Sequence, residues 1–309
     1  MNNMLRGLVI RSTGSWYTIE QEDGSRIQCK ARGIFRLSDK GITNPVVAGD
    51  RVFYEMTDKE TGLITGIGKR DNYIIRKASN LSRQSHILAA NIDHAFLVVT
   101  LQLPRTSTGF IDRFLVTAEA YGIPASILFN KSDIYDKASL VIFEEWKRIY
   151  APLGYSCYLV SAFNTTDIKE ISGLFKKGVY LFAGHSGVGK TSLVNALDPS
   201  LNLKTSGVSE AHGKGRHTTT FAEMIKLGPG KYIVDTPGIR EFGMYDFSPA
   251  EVSHYFPEMR ELLNKCRFDN CMHIEEPGCS VKNALEKGKI SLSRYGGYIS
   301  IIEDKDSFR

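Results

Sequence analysis

Two short motifs stand in an inverted order. The segment Gly184-His185-Ser186-Gly187-Val188-Gly189-Lys190-Thr191 follows the apolar run Val179-Tyr180-Leu181-Phe182-Ala183 and leads into a helical stretch from about Thr191 to Leu197. A strand, a glycine-rich loop and a helix N-terminus together make a phosphate cradle. Backbone N–H groups wrap closely around an anion only where glycines leave room. Asn130-Lys131-Ser132-Asp133 ends a second apolar run, Ala125–Phe129, and precedes the cradle by 54 positions (184 − 130). Its residue types are those that read a purine base. In the usual connectivity of such a site the phosphate loop comes first. The inverted order calls for a circularly permuted α/β domain, in which the same sheet is entered at a different strand.

Each motif carries a definite chemistry. The expected phosphate-binding set runs from Gly184 through Ser192. Within it Lys190 should reach the β- and γ-phosphates, and the Thr191 hydroxyl should hold Mg²⁺. Asp235-Thr236-Pro237-Gly238 follows the strand-like run Lys231–Val234, 45 residues after Lys190 (235 − 190). A carboxylate at a strand end, here Asp235, can hold Mg²⁺ directly or through water. The Gly238 N–H can meet the γ-phosphate and sense its loss. Between these motifs, Ser206–Thr220 has the composition of a mobile loop. Thr218 or Thr219 in it can complete the Mg²⁺ shell only while the γ-phosphate is present, which is the physics of a switch. Taken alone, the same segment reads equally well as a solvated loop. The Asp133 carboxylate can accept hydrogen bonds from guanine N1 and N2, and adenine offers neither donor. Asn130 can hold the base edge and the neighbouring loops, and the Lys131 stem can cover a base face.

The chain has 309 residues, room for about two or three domains. No apolar run of about 18 residues is present and the first residues lack a long apolar core, so a cytoplasmic protein without membrane contact is expected. The net charge of +5 is uneven. Residues 1–80 hold 13 Lys+Arg and 9 Asp+Glu (+4), 81–249 hold 17 and 15 (+2), and 250–309 hold 9 and 10 (−1). A basic N-terminal module suits a phosphate-rich partner such as RNA, although four charges are a small excess. Of the cysteines, Cys266, Cys271 and Cys279 fall within fourteen positions together with His273, as C-x4-C-x-H-x5-C. Three thiolates and one imidazole fill a tetrahedral structural zinc site and leave no position open to water. One Zn²⁺ per chain is expected.

Residues 1–75 read as a β-barrel with short strands at Gly7–Arg11, Trp16–Glu20, Arg26–Ala31, Arg51–Met56 and Ile64–Gly68. Five strands with a basic surface fit an OB-type barrel, and an SH3-like barrel is the structural alternative. Arg32, Arg36, Arg51 and Lys69 can meet phosphates or can be solvated charges. Residues 76–90 are polar and read as a linker. Residues 91–245 alternate strands and helices, as in a doubly wound α/β domain. Residues 246–309 read as a mainly helical zinc-binding module, with a helix opened by Ser248-Pro249 and running to about Asn264.

This order of motifs resembles the circularly permuted GTPases, and most closely the small ribosomal subunit-dependent GTPase A family, the RsgA/YjeQ type. The residues that carry the resemblance are Asn130–Asp133, Gly184–Ser192, Gly215–Thr220, Asp235–Gly238 and the cysteine cluster, and the likeness spans nearly the whole chain. It implies three parts: an N-terminal OB-type barrel, a central permuted P-loop GTPase and a C-terminal zinc module. It implies that Ser161-Ala162 supplies the backbone contact to guanine O6. It further implies a monomer that hydrolyses GTP to GDP with Mg²⁺, binds rRNA, and acts as a checkpoint in late maturation of the small (30S) subunit, stimulated by that subunit. Two alternatives stay open: a GTP-gated RNA-binding module with little catalysis, and a permuted GTPase acting on the large subunit.

Many GTPases place a glutamine directly after the D-x-x-G glycine to orient water. Ile239 stands there in this chain, and an aliphatic side chain cannot do that task. His217, beside Thr218 and Thr219, is the candidate substitute. Its imidazole can accept a hydrogen bond from water near neutral pH. His212 and His185 are its rivals.

Overall fold

The computed structural model describes residues 4–33, 45–58, 60–77, 85–204, 223–235 and 248–303. The chain forms two compact units. One comprises Met1–Ala95, Lys169–Phe182 and Leu197–Glu241; the other comprises Phe96–Ile168, Ala183–Ala196 and Phe242–Arg309.

The first unit holds the barrel. Strands β1 (Leu5–Ser12), β2 (Tyr17–Gln21), β3 (Arg26–Ala31), β4 (Arg51–Met56) and β5 (Thr61–Ile67) are ordered β1-β2-β3-β5-β4 and close through β1–β4. The β3–β5 pair is parallel and its neighbours are antiparallel. This is the OB-type order, so the SH3-like alternative falls away. Alternation fills the interior: Val9, Tyr17, Ile19, Ile27, Cys29, Val52, Tyr54 and Ile64 point inward and are buried. Burial pushes the Cys29 thiol up to about 11, the behaviour of a core residue rather than a reactive one. The turn glycine Gly24 has φ +83°, where a side chain would be strained.

The segment expected to be a linker is partly β-structure. Strands β6 (Tyr73–Lys77) and β7 (Ser85–Ala90) form an antiparallel hairpin. Arg70 just before it is not a free surface charge, since its Nε and Nη2 donate to the buried Asp50 at 2.7 Å each. Arg51, a candidate phosphate contact, pairs with Asp71 at 3.2 Å, while Arg36 lies outside the described residues.

The same unit continues the barrel into strands β11 (Gly178–Ala183), β12 (Glu223–Gly228) and β13 (Lys231–Asp235), in the order β11-β13-β12-β1. β1 meets β12 at Arg11↔Glu223. Glu20 of β2 cements the junction: it accepts from Lys226 Nζ at 2.7 Å and from the Tyr232 hydroxyl. The barrel is therefore bonded to the strand that ends in Asp235.

The second unit contains β8 (His94–Val99), β9 (Ala125–Phe129) and β10 (Ser156–Leu159), in the order β10-β9-β8. β9 and β10 are parallel. Every residue of β9 is buried, as continuous apolar runs of a covered parallel sheet require. Helices α1 (Thr108–Ala120), α2 (Lys137–Tyr150), α3 (Thr165–Leu174) and α4 (Lys190–Leu197) connect or follow these strands. Asp136 caps α2 by accepting from Ser139 N–H at 2.8 Å.

The C-terminal module begins with the expected Ser248 cap, whose capping box with Glu251 is complete. The expected helix to Asn264 does not form as one piece. A 3₁₀ turn covers Pro249–Tyr255, α5 spans only Pro257–Arg260, and a second 3₁₀ turn covers Leu263–Lys265. Pro257 is the cause, because its ring removes a donor and pushes Phe256 into extended backbone. Helices α6 (Ser280–Glu286) and α7 (Leu292–Glu303) follow. Val252, Phe256, Met259, Val281, Tyr298 and Ile301 form the module's core, into which Val116 of α1 also packs.

Candidate functional site

The second unit brings the two sequence motifs together despite their separation along the chain. Asn130 is the joint. Its side chain is buried, and its Nδ2 donates to the Val188 carbonyl in the middle of the glycine-rich loop at 2.8 Å. Its backbone N–H donates to Val99 at 2.8 Å, and its carbonyl accepts from the Tyr135 hydroxyl at 2.6 Å. Gly189, at φ +92°, passes so close that a Cβ would meet Asn130 Nδ2. Gly184 has φ +141°, and a Cβ there would meet the Val98 carbonyl. Both glycines are thus demanded by close approach as well as by backbone angle.

Lys190 opens α4, and its Nζ donates to the Gly184 and His185 carbonyls at 2.7 and 2.8 Å. The ammonium therefore spans the mouth of the loop. Thr191 and Ser192 are half-buried in the first turn of α4. His185 and Ser186 are exposed, and Val188 is fully buried beneath them. Burial and the nearby Lys190 charge both lower the His185 imidazole below its ordinary value.

The turn Asn130–Asp133 is equally compact. Lys131 is in the left-handed region at φ 64°, and its Nζ donates to the Leu103 carbonyl at 2.6 Å. Ser132 N–H donates to Val160 at 3.0 Å, which seats the turn on the end of β10. Asp133 is exposed, and its Oδ1 accepts from the Ser161 hydroxyl at 2.5 Å. Ser161 is itself held by Asp167, which accepts from its N–H at 2.8 Å. An exposed carboxylate held at one oxygen leaves the rest of its acceptor capacity for two purine donors.

Tyr135, Asp167, Leu103 and Phe110 were not legible from the motifs. Tyr135 lies five positions after Asn130 within the same turn, the one local signal available. Asp235 ends β13 in the first unit. His217, Thr218, Thr219 and Gly238 lie outside the described residues.

The third constellation is in the C-terminal module. The ligand atoms of Cys266, Cys271, His273 and Cys279 all lie within 4.8 Å of one another. His273 Nδ1 is 3.6 Å from Cys266 Sγ and 3.4 Å from Cys279 Sγ. Tetrahedral zinc with ordinary bond lengths sets that edge at about 3.5 Å, so the donor set fits. Burial would raise the Cys266 thiol, but N–H groups of Ser280 and Val281 and the neighbouring thiols hold it below its ordinary value. That favours the thiolate a metal needs. The four groups can hold a metal ion.

The barrel, the permuted strand order and the joined motifs define the class: a circularly permuted phosphate-loop GTPase fold with an OB-type barrel and a C-terminal Cys₃His module. This chain belongs to the RsgA GTPase family. The family model for the RsgA GTPase matches residues 67–245, and that for the RsgA N-terminal domain matches residues 6–64. A Bacteroides fragilis protein named small ribosomal subunit biogenesis GTPase RsgA is 49% identical over 302 residues, covering 98% of this chain and 97% of that one. A Flavobacterium psychrophilum protein of the same name is 49% identical over 305 residues, with 98% and 94% covered. The crystal structure of YjeQ from Thermotoga maritima superposes with a TM-score of 0.81 at 36% identity, covering 99% and 100%. YloQ, described as a circularly permuted GTPase, gives 0.76 at 30% identity, covering 98% and 96%.

Proposed function

We propose that this chain hydrolyses GTP as a checkpoint in late maturation of the small ribosomal subunit. The observation that carries the reading is the Asn130–Val188 bond, which ties a guanine-reading motif to a phosphate loop across inverted connectivity. Family membership supports the ribosomal assignment, through relatives whose name specifies small-subunit biogenesis.

In this reading Gly184–Ser192 cradle the phosphates, with Lys190 exchanging its loop carbonyls for phosphate oxygens. Thr191 and Asp235 hold Mg²⁺, Thr218, Thr219 and Gly238 respond to the γ-phosphate, and His217 orients water. Asp133 reads guanine while Ser161 and Ala162 support the base edge. Mg²⁺, when bound, offsets charge on the phosphates. Cys266, Cys271, His273 and Cys279 hold one structural Zn²⁺. Residues 1–75 and 246–309 flank the nucleotide domain as rRNA-facing modules, and the protein works as a cytoplasmic monomer.

The test is GTP turnover by purified protein, alone and with small or large subunits. Stimulation by small subunits alone supports the reading. Stimulation only by large subunits, or binding without turnover, favours one of the two alternatives.

A further inference from the structure

The phosphate loop and the C-terminal cysteine cluster are joined through two helices, α1 and α7. Ser107 caps α1 by accepting from the Phe110 N–H at 3.2 Å, which fixes the helix's first turn. The Phe110 ring stacks on His185 of the loop, with centroids 3.8 Å apart and planes 29° apart. Two residues on, about 200° around the helix, Asp112 enters the C-terminal module and is fully buried. Its Oδ1 accepts from Arg294 Nη1 and from the Tyr150 hydroxyl, both at 2.8 Å.

Arg294 is fully buried as well. Its Nε and Nη2 donate to Glu258 at 2.7 and 3.3 Å, and its guanidinium lies 4.5 Å from the Phe256 ring centroid. The next residue on α7, Tyr295, donates its hydroxyl to the His273 carbonyl at 2.7 Å. Tyr298 does the same to Met272 at 2.6 Å. One helix therefore grips the cysteine cluster on one side and α1 on the other.

A buried ionic cluster is a weak source of net stability, because desolvation offsets its attraction. An apolar seam would hold α7 on α1 equally well. What the cluster adds is a single register between the helices, set by directional hydrogen bonds. We propose that Arg294 is a positioning residue for the phosphate loop: itself held by Glu258, it fixes α1 through Asp112 and so sets the Phe110–His185 contact. A load on the C-terminal module then changes how the loop holds phosphate. This rests on reading Gly184–Thr191 as a nucleotide site. By reciprocity, nucleotide in the loop alters how the module binds its partner.

Two adjacent glycines on α7 provide the test. A Cβ at Gly297 would run into the Asp112 carboxylate, whereas one at Gly296 meets nothing within 4 Å. Gly297→Ala therefore places a wedge in the α1–α7 seam, and Gly296→Ala makes the same chemical change without one. The full-length protein is followed by two readouts: the His185 ring resonances by NMR without nucleotide, and the affinity for a fluorescent GDP. Gly297→Ala should shift the His185 resonances and weaken GDP binding about fivefold or more, while Gly296→Ala leaves both unchanged. Adding Phe110→Ala should abolish the further loss caused by Gly297→Ala. Should Gly297→Ala fail to fold, Glu258→Gln removes one charge at constant volume and carries the same expectation. Unmoved His185 resonances with wild-type GDP affinity in a folded seam variant overturn the proposal. If the wild-type chain bound no GDP while His185 still followed the wedge, the nucleotide reading would be overturned and the mechanical link would stand.

Discussion

Asn130 and Asp133 divide the work of one motif between two distances. Asn130 is buried and joins its turn to Val188, whereas Asp133 is exposed and, in the proposed reading, meets the base. Their substitutions should therefore fail differently. Asp133→Asn swaps an acceptor pair for a mixed donor and acceptor, so GTP affinity should fall at least about tenfold while xanthine nucleotides gain. Calorimetric titration with both nucleotides checks this, and unchanged GTP affinity would remove Asp133 from the site. Asn130→Ala leaves the Val188 carbonyl without its donor and should cost about 1–3 kcal/mol of stability, read by denaturant unfolding. That Asn130 meets the glycine-rich loop was legible because both motifs are written in residue type and spacing. Tyr135, Asp167 and Leu103 were not, since they serve through a hydroxyl, a carboxylate on α3 and a backbone carbonyl that any sequence offers.

At the scale of elements, long apolar runs were the easiest to read. The expected run Ala125–Phe129 coincides with β9, whose apolar character is explicit. The hairpin β6–β7 escaped because its strands are mixed in polarity and pair with each other rather than with the main sheet. The run after Ser248 looked helical by its cap, yet Pro257 divides it. The cysteine cluster was legible from spacing alone, and the structure adds that Nδ1, not Nε2, of His273 faces the sulfurs. Metal analysis should find about one zinc per chain. Chelation should loosen α6 and α7 and, through the Arg294–Asp112 contact, weaken nucleotide binding without abolishing it, because no ligand lies in the Gly184–Thr191 loop. A metal-free protein with an intact C-terminal module in hydrogen exchange would contradict the assignment.

Across the whole molecule, permutation decides what the nucleotide domain is bonded to. The strand ending in Asp235 is hydrogen-bonded to β12, and through Glu20, Lys226 and Tyr232 to the barrel. Helix α1 is bonded through Asp112 and Arg294 to the C-terminal module. The barrel is thus bonded to the strand that ends in Asp235, and the C-terminal module to the helix that carries Phe110. A Glu20→Gln variant should keep the barrel folded yet weaken the Lys226 and Tyr232 contacts. Its effect should be larger on subunit-stimulated turnover than on nucleotide affinity, measured by parallel kinetic and binding titrations. Equal losses in both would mean that Glu20 serves stability alone.

Ile239 in place of a water-orienting glutamine makes slow intrinsic hydrolysis the expectation, with the missing group supplied by His217 once the small subunit is bound. The direct test is single-site turnover of wild-type and His217→Ala proteins with purified small subunits, with binding measured in parallel. Wild-type turnover should rise sharply with small subunits and not with large ones. His217→Ala should retain GTP and subunit binding and lose most of that rise. Fast turnover by the isolated wild-type chain, indifferent to small subunits, would contradict the account.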